Sequence, residues 1–448
     1  MTPLPTQLSG AHFLASNQYA LLADEPRVGK TGTAIIAADY VMASTILVIT
    51  TASGRGVWKR GFADWSAFPR SIQIALPCDK VTAQVVIVGW PSISKPKLLA
   101  QLLERRWDVL ISDEDHFAKN YQARRTQALY GELDSGGAHL LNMRALYAKA
   151  DRVWPLTGTP LPHSPADTYP RLRALAPERL RADEAKGWPD VMKYDDFLHR
   201  YCVVRMKKIS NFNRIPVVIG GRNLPELKSR LEGFSLLRTQ ADVGIRPPHY
   251  DLLPLVCTPA QKRAAEADLD KAAILKAAAD GGTRDLEMHL GPLRRLTGEI
   301  KAHAVVEAVK EEFDCGLDKI VLAYWHKDVG RVLMDGLSQF GVVGIDGSTP
   351  PDARQKNVDA FTTDPACRVF LGQIEAAGES IDLSAAAVLW FVETSFSPKS
   401  MKQMSLRITN HGQQRQAVVK VCVLEGSIDE ALQASLMRLW TAIREVLS

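Results

Sequence analysis

Residues 23–31 carry side chains of the kind that bind phosphate. The segment reads ADEPRVGKT and ends in Lys30 and Thr31. Residues 31–43 then show helical periodicity, and residues 45–50 form an apolar run, which together predict a helix and a second parallel strand. A loop at the start of that helix presents backbone N–H groups and the positive end of the helix dipole to a triphosphate. Lysine in this position binds phosphate in many nucleotide-binding loops.

A second segment, residues 108–116, supplies the acids. It reads DVLISDEDH, and the apolar run at 107–113 predicts a buried strand that ends in Asp113, with Glu114 beside it. The Thr31 hydroxyl and one carboxylate can hold Mg²⁺, and the second carboxylate can activate water. Each segment alone is a weak signal. The two in this order predict a nucleoside triphosphatase.

Several nearby positions have two interpretations. Arg27, after Pro26, stands where a glycine would ease the turn, and it either adds a phosphate contact or points into solvent. Gln7 lies on a predicted amphipathic helix ahead of the loop. Its amide either reads the adenine edge or is a solvated surface group, and spacing alone favours the surface group. His116 either couples the nucleotide site to neighbouring elements or is a polar loop residue.

Further strands are predicted at 85–94 and, ending in small hydroxylated residues, at 154–160. Residues 197–225 contain no acid, carry six basic side chains and alternate in short runs, which predicts a basic hairpin. That hairpin is either a nucleic-acid contact or a solvated face. An Ala-, Lys- and Glu-rich helical connector is predicted at 258–312, with a break at Asp280-Gly281-Gly282.

The second half repeats the alternation of strands and helices. It predicts a second parallel sheet that has no phosphate loop of its own. The predicted strands are at 319–325, 342–347, 368–374, 387–393 and 417–425, with helices at 329–337 and before Phe361. Such a lobe can serve the first one by bringing an arginine to its nucleotide.

Composition sets limits on the class of protein. The chain of 448 residues suits two or three domains, and 46% hydrophobic and 23% charged residues are ordinary for a globular protein. A net charge of +5 permits a nucleic-acid partner without requiring one. Six scattered cysteines without a CxxC pair fit neither structural zinc nor a disulfide framework, and they favour a reducing cytoplasm. We expect no signal peptide and no membrane span.

Taken together, the motifs resemble those of superfamily-two helicase-like ATPases of the Swi/Snf DNA translocase type, within them the small phage and bacterial members and the annealing-helicase branch. The resemblance covers nearly the whole chain. The matching strings are LPTQ, ADEPRVGKT, DEDHFAKN, LTGTP, YDDFLHRYC, GRNLPELKSRL, LLRTQADV, IDGSTPPDARQ, EAAGESIDL and QMSLRITNHGQ.

This resemblance implies an α/β fold of two RecA-like parallel-sheet lobes in tandem, at 1–245 and 246–448, with helical insertions and a helical connector. It implies ATP and Mg²⁺ as cofactors, with Thr31 and Asp113 on the metal and Glu114 on the attacking water. It also implies that Gln7 contacts adenine, which is the first of the two interpretations given above. The other nucleotide-site residues that it implies are Arg27, Gly29, Lys30, Asp382, Gln403, Arg407 and Asn410. The residues that it places along a duplex, or between the duplex and ATP, are Thr51, Ser53, Trp90, Lys207, Lys208, Thr349 and Gly378.

Four positions depart from the family pattern. Arg27 and Ser380 replace glycines, and Asn410 replaces the second arginine of the R-x-x-R string that begins at Arg407. Either Arg407 or Arg415 then acts alone, or turnover is slow, since a finger arginine contributes about 10³–10⁵ in rate in related enzymes. Asp115, in place of the usual alanine, is expected to add negative charge near Mg²⁺.

The resemblance therefore predicts a DNA-stimulated ATPase that moves on double-stranded DNA without sequence specificity, in a bacterial cytoplasm or a phage-infected cell. Two alternatives stay open. One is a helicase that separates strands of DNA or RNA. The other is a DNA-binding protein that has kept the fold and lost turnover, for which Asn410 and Arg27 are the evidence.

Overall fold

The apolar runs of the sequence form two parallel sheets, one in each half of the chain. The computed structural model describes residues 2–52, 54–137, 139–158, 164–208, 214–256, 283–377, 381–395, 398–410 and 412–425. The backbone alone is described at 206–208, 214–217, 219, 283–297, 351, 398 and 399. The chain divides into two compact units, unit 1 at Met1–Val243 and unit 2 at Gly244–Ser448.

The sheet of unit 1 holds the strands that flank both predicted motifs. Its strands are β1 (Leu21–Leu22), β2 (Ile46–Thr50), β3 (Ile72–Ile74), β4 (Val85–Gly89), β5 (Trp107–Asp113), β8 (Ala150–Leu156) and β11 (Ser235–Leu236). Their spatial order is β11-β1-β8-β5-β2-β4-β3, and neighbouring strands pair in parallel. Both faces are buried: in β2, Leu47 packs into one core and Val48 into the other. This explains why the strands read as continuous apolar runs.

Helices cover the sheet and link its strands. They are α1 (Pro5–Ser16), α2 (Lys30–Tyr40), α3 (Gly54–Trp65), α4 (Pro96–Glu104), α5 (Arg124–Tyr130), α6 (Tyr169–Leu175), α7 (Tyr194–Tyr201) and α8 (Leu224–Leu231). Two antiparallel hairpins stand apart, β6 (Glu132–Leu133) with β7 (Leu140–Leu141) and β9 (Cys202–Lys208) with β10 (Arg214–Gly221). The second of these confirms the hairpin predicted within 197–225.

Unit 2 contains the second parallel sheet. Its strands are β12 (His249–Leu255), β13 (Ile320–Tyr324), β14 (Val342–Ile345), β15 (Val369–Gln373), β16 (Val388–Phe391) and β17 (Val418–Leu424), in the order β12-β17-β16-β13-β15-β14. Its helices are α9 (Thr283–Asp314), α10 (Lys327–Leu337), α11 (Pro351–Thr363), α12 (Ile374–Ala377) and α13 (Pro398–Ser405). The two parallel-sheet lobes confirm the predicted fold class. No helix among the described residues is long and apolar enough to cross a membrane.

Some predicted boundaries were wrong. The strand predicted at 85–94 ends at Gly89, because Pro91 lacks an N–H and Ser92 instead closes a turn onto the Gly89 carbonyl (2.8 Å). The strand predicted at 154–160 begins earlier and spans Ala150–Leu156. Of the predicted connector, α9 covers the second part, and the break at 280–282 lies outside the described residues.

Candidate nucleotide site

The candidate phosphate loop joins β1 to α2. Gly29 has a φ of 101° and precedes Lys30, the first residue of α2. The Lys30 ammonium donates to the carbonyl oxygens of Asp24 (2.7 Å) and Glu25 (3.1 Å), so it lies over its own loop. The first turn of a helix presents N–H groups without intrahelical acceptors, and these form an anion site together with the helix dipole. Lysine and helix N-terminus therefore occupy the same place, as the sequence predicts.

Arg27 takes a conformation that usually belongs to glycine. Its φ is 74°, within the left-handed region, which costs an L-residue about 1–2 kcal/mol. The loop therefore has, at this position, the positive φ that glycine adopts most easily, and Arg27 adopts it at a cost in free energy. Arg27 is half-buried and its Nε is buried, so the interpretation that the side chain simply points into solvent does not hold.

Gln7 lies against the phosphate loop. It is only 3% exposed, its Nε2 donates to the Gly29 carbonyl (3.3 Å), and its Oε1 accepts from the Leu4 amide (2.9 Å). A Cβ added at Gly29 or at Gly32 would come within 2.7 or 2.8 Å of Gln7 Nε2, so the loop and helix approach this amide without side chains of their own. The solvated surface amide, which spacing alone favoured, is wrong.

The segment that follows β11 also contacts the phosphate loop, and the sequence alone assigned it no role. Arg238 donates through Nε to Oδ1 of the fully buried Asp24 (3.0 Å) and makes a second contact with Oδ2. Gln240 Nε2 donates to the Pro26 carbonyl (2.9 Å), and the backbone N–H of Gln240 donates to Oε2 of Glu25 (2.8 Å). Both residues follow β11, which runs parallel to β1, so they reach the loop where β1 ends. The string LLRTQADV marked this segment, but spacing alone could not show what it touches.

The predicted metal ligand Asp113 is held by three side chains. Its Oδ2 accepts from Thr50 Oγ1 (2.8 Å) and Trp58 Nε1 (2.8 Å), and its carbonyl accepts from Trp90 Nε1 (2.9 Å). Burial, and next the charge of Glu114, raise the pKa of Asp113, whereas the two side-chain donors and the charge of Lys30 lower it. The influence of Lys30 places the two predicted motifs in one electrostatic site.

Glu114 also has a left-handed backbone, with φ 52° and ψ 47°, and it precedes the 3₁₀ turn Asp115–Ala118. Its Oε2 lies 3.1 Å from His116 Nδ1, which is also 3.4 Å from Thr157 Oγ1. His116 is 6% exposed, so it is not a solvated loop residue. It connects Glu114 to the end of β8, where the string LTGTP begins; residues 159–163 lie outside the described part.

Asp115 does not add charge near the metal, and the expectation that it would is wrong. The residue is 1% exposed and is paired with Arg171, whose Nε and Nη2 lie 2.7 and 2.5 Å from its Oδ2. Its Oδ1 accepts from Tyr130 OH (2.5 Å) and Ser112 Oγ (2.8 Å). The third carboxylate of the acidic run therefore faces the core, and an arginine neutralises it.

These donors fit a divalent cation. Burial, and next the charge of Glu114, disfavour the charged form of Asp113, and a bound cation would stabilise that form. Thr31, half-buried in the first turn of α2, offers a hydroxyl. Hydroxyl and carboxylate oxygens are the ligands that Mg²⁺ prefers.

In unit 2, the structure brings three of the predicted nucleotide-site residues together. Leu383 N donates to the Arg407 carbonyl (3.0 Å), Asn410 Nδ2 donates to Ser384 Oγ, and Ser384 Oγ donates to Asp382 Oδ1 (2.6 Å). Gln403, on α13, and Arg407, in the following 3₁₀ turn, are 8% and 6% exposed. Ser380 lies outside the described residues.

Arg415, the alternative finger, is paired elsewhere. Its Nη1 lies 2.9 Å from Asp318 Oδ2, and its Nη2 donates to the Ala385 carbonyl (3.3 Å). A finger has to release such contacts before it can reach phosphate. Both partners of Arg415 lie within unit 2.

The residues predicted along the duplex differ in their exposure and in their contacts. Trp90 is 2% exposed and bonded to Asp113, so its ring offers no surface to a duplex and supports the acidic strand instead. Thr51 is buried and accepts from the Gly54 amide (3.1 Å). Thr349 donates to Asp346 Oδ1 (2.8 Å) in a loop beside the exposed Lys327. Ser53, Gly378 and the side chains of Lys207 and Lys208, whose backbone lies in β9, are outside the described part.

Among the basic residues of segment 197–225 whose side chains the structure describes, Arg200 has an acidic partner. Arg200 donates through Nε to Glu226 Oε2 (3.0 Å) and makes a second, short contact through Nη2. Arg222 is exposed. The acid that neutralises Arg200 lies just beyond the acid-free stretch, on α8.

Comparison with known proteins identifies similar sequences over nearly the whole chain. The family profile described as "Helicase conserved C-terminal domain" matches residues 304–412. The chain is 27% identical, over 99% of its length and 44% of the relative's, to the SWI/SNF-related matrix-associated actin-dependent regulator of chromatin subfamily A-like protein 1 of Xenopus tropicalis. It is 26% identical, over 97% of its length and 40% of the relative's, to the DNA annealing helicase and endonuclease ZRANB3 of Mus musculus. The chain thus spans less than half the length of these two relatives.

Among solved structures, the chain is similar to the Sulfolobus solfataricus SWI2/SNF2 ATPase core in complex with dsDNA. The TM-score is 0.45 at 18% identity, with 97% of this chain and 90% of the other covered.

Proposed function

We propose that the chain is a Swi/Snf-type helicase-like ATPase of superfamily two, which hydrolyses ATP and uses the energy to move along double-stranded DNA. The observation that carries the proposal is the position of the Lys30 loop, which Gln7 contacts, and of the acidic pair Asp113 and Glu114 at the carboxyl ends of strands β1 and β5, which both pair in parallel with β8. These are the groups that bind a nucleotide and activate water.

In this proposal each group has one task. Gln7 reads adenine, the first turn of α2 and Lys30 bind the phosphates, and Glu114 orients the attacking water and accepts its proton. Thr31 and Asp113 would hold Mg²⁺, which when bound offsets negative charge on the phosphates. The hydrogen bonds that Thr50 and Trp58 donate to Oδ2 hold the Asp113 carboxylate in one orientation. A carboxylate fixed in this way loses little conformational entropy when it binds a ligand.

We further propose that Arg407 contacts the γ-phosphate of the bound nucleotide, the role that the family resemblance implies. Its support is the position of Arg407 in the string QMSLRITNHGQ. Asn410 can donate a hydrogen bond but supplies no charge, and its donor already binds Ser384. Arg407→Ala should therefore lower kcat by about 10³-fold or more if it is the single finger.

Movement would follow if the γ-phosphate shifted the protein between two conformations. A ligand can shift such an equilibrium only if its contacts differ between the two conformations. Gripping the phosphate backbone predicts weak sequence preference and a steep decline of affinity with salt. These properties separate a translocase from a site-specific DNA-binding protein.

The test is ATP hydrolysis measured without nucleic acid and with duplex DNA, single-stranded DNA or RNA. We expect the largest stimulation by duplex DNA, its loss in Lys30→Ala and Glu114→Gln, and displacement of a third strand from a triplex by the wild-type protein. The matched control is Lys59→Ala, an exposed lysine on α3. Stimulation by single strands alone, with strand displacement, would favour a strand-separating helicase.

The second candidate is a DNA-binding protein with a lost or weak ATPase. Asn410, at the second arginine position and bonded within unit 2, favours it. The two candidates differ in one measurement: in the second, wild-type hydrolysis equals that of Glu114→Gln with every nucleic acid, while duplex binding persists.

A further inference from the structure

A buried ion pair lies immediately beside the proposed catalytic glutamate. Asp115 and Arg171 are 1% and 2% exposed, and the guanidinium contacts one carboxylate oxygen through both Nε (2.7 Å) and Nη2 (2.5 Å). The other oxygen accepts from Tyr130 OH (2.5 Å) and Ser112 Oγ (2.8 Å). Four donors thus surround one carboxylate, and charge-assisted contacts of this kind are the strong ones. Asp115 cannot turn without breaking several of them.

The residue that this network adjoins is held in an unfavourable backbone conformation. Glu114 has a φ of 52°, and a side-chain-bearing residue keeps such an angle only where its surroundings over-determine it. On one side Asp113 is fixed by Thr50 and Trp58. On the other side the network fixes Asp115. Glu114 therefore sits between two anchored neighbours, and its peptide units have little freedom.

Arg171 connects this anchor to a rigid element. It lies in α6, where Tyr169 and Leu172 are fully buried. The pair buries no net charge, because the arginine neutralises the aspartate. Burial lowers the pKa of Arg171, but the charge of Asp115 and the other contacts outweigh burial and leave the pKa raised. A buried ion pair is weak evidence for stability, since apolar side chains of similar volume often replace it without loss. Its place next to Glu114 suggests a different role.

We propose that Asp115 and Arg171 are positioning residues that hold the Glu114 carboxylate at the attacking water. The proposal rests on the proposed ATPase function. Neither residue touches the nucleotide or the water; both act through the backbone of Glu114. Their removal should lower the rate of the chemical step and leave nucleotide binding by Lys30 and the loop unchanged.

The test compares two buried ion pairs of unit 1. Asp115→Ala/Arg171→Met removes the pair beside Glu114 without leaving a single buried charge. The control, Asp39→Ala/Arg70→Met, removes a pair with side chains 7% and 4% exposed that joins the end of α2 to the segment after α3. The measurements are kcat and KM for ATP with saturating duplex DNA, the unfolding midpoint, and amide hydrogen exchange of the peptide spanning 113–118.

We expect the first variant to lower kcat by about 10- to 100-fold, the loss that a displacement of about 1 Å produces at a reacting group, with KM within about twofold. Exchange at 114–118 should increase. The control should lower the unfolding midpoint but leave kcat and that exchange near the wild-type values. In a Glu114→Gln background, Asp115→Ala/Arg171→Met should cause no further loss of kcat, because both changes act on the same group.

The proposal is overturned if the control lowers kcat as much as the first variant, if KM rises in place of a fall in kcat, or if exchange at 114–118 does not change. If wild-type protein shows no hydrolysis with any nucleic acid, the proposed function fails and this proposal fails with it. Hydrolysis by the wild-type protein together with unchanged exchange at 114–118 in the first variant refutes this proposal alone. If the double variant does not fold, Arg171→Lys takes its place, because a lysine keeps the charge and loses the two-pronged contact.

Discussion

Replacing Trp58 with phenylalanine tests the electrostatics of the acidic strand end. The indole donates one of two side-chain hydrogen bonds to Asp113 Oδ2 (2.8 Å) and is fully buried. Phenylalanine keeps most of the ring volume and removes the donor. The hydrogen bond to an ionised carboxylate contributes about 1.5–3 kcal/mol, and a neutral one about 0.5–1.5 kcal/mol.

The expected loss depends on pH, and its sign follows from the pKa of Asp113. Burial and the charge of Glu114 raise that pKa, and the Trp58 hydrogen bond lowers it, so Trp58→Phe raises it further. A carboxyl whose folded pKa lies above its unfolded pKa contributes less stability as pH rises between the two values. The gap in the free energy of unfolding between wild type and variant should therefore widen as pH rises through the folded pKa of Asp113.

Urea unfolding followed by circular dichroism, from about pH 5 to about pH 9 without divalent cations, measures this gap. A double-mutant cycle with Asp113→Asn isolates the pair, and we expect a coupling of about 1 kcal/mol or more at the alkaline end. The acid limb of the ATPase profile should move to higher pH. A gap that is independent of pH, together with zero coupling, would refute the reasoning and leave the indole a packing role only.

Four further changes follow from single observations. Arg27→Gly should keep or raise the unfolding midpoint, because it relieves a positive φ that costs about 1–2 kcal/mol; a fall by thermal unfolding would contradict this. Gln7→Ala should lower the preference for ATP over GTP about fivefold, the value of one hydrogen bond, in competition assays. Asn410→Arg should raise kcat about tenfold or more if the site lacks a second arginine that contacts the γ-phosphate, and an unchanged kcat would assign that contact to Arg407 alone. Asp113→Asn should abolish hydrolysis yet raise the unfolding midpoint without divalent cations, since burial disfavours the charged carboxylate.

The parallel sheets could be predicted because strands buried on both faces leave long apolar runs. Within β5, each residue from Val109 to Ile111 is fully buried, and the polar Ser112 and Asp113 end the strand. Turns after such strands were harder to predict, because the apolar run continues past them. Trp90 belongs to no strand, although its sequence context is as apolar as that of Val88.

The site could be predicted only in part, for a geometrical reason. Lys30 and Asp113 carry their chemistry in the residue type, so motifs reveal them. Their supports come from distant elements: Arg238 lies 214 residues from Asp24, and Arg171 lies 56 residues from Asp115. An arginine far along the chain looks like a surface cation until its buried partner is known. Gln7 was misjudged from spacing for the same reason.

Asp115, one of the four departures from the family pattern, is no evidence for a lost ATPase. Asp113, Glu114 and Asp115 would place three negative charges beside a triphosphate if all faced the loop. The structure separates them: Asp113 binds Thr50 and Trp58, Glu114 lies beside His116, and Asp115 is neutralised in the core by Arg171. Since Arg171 neutralises the third charge in the core, the case for slow or lost turnover depends on Arg27 and on Asn410, whose side-chain amide donates to Ser384. The rate of the Asn410→Arg protein therefore distinguishes a weakened motor from a complete one.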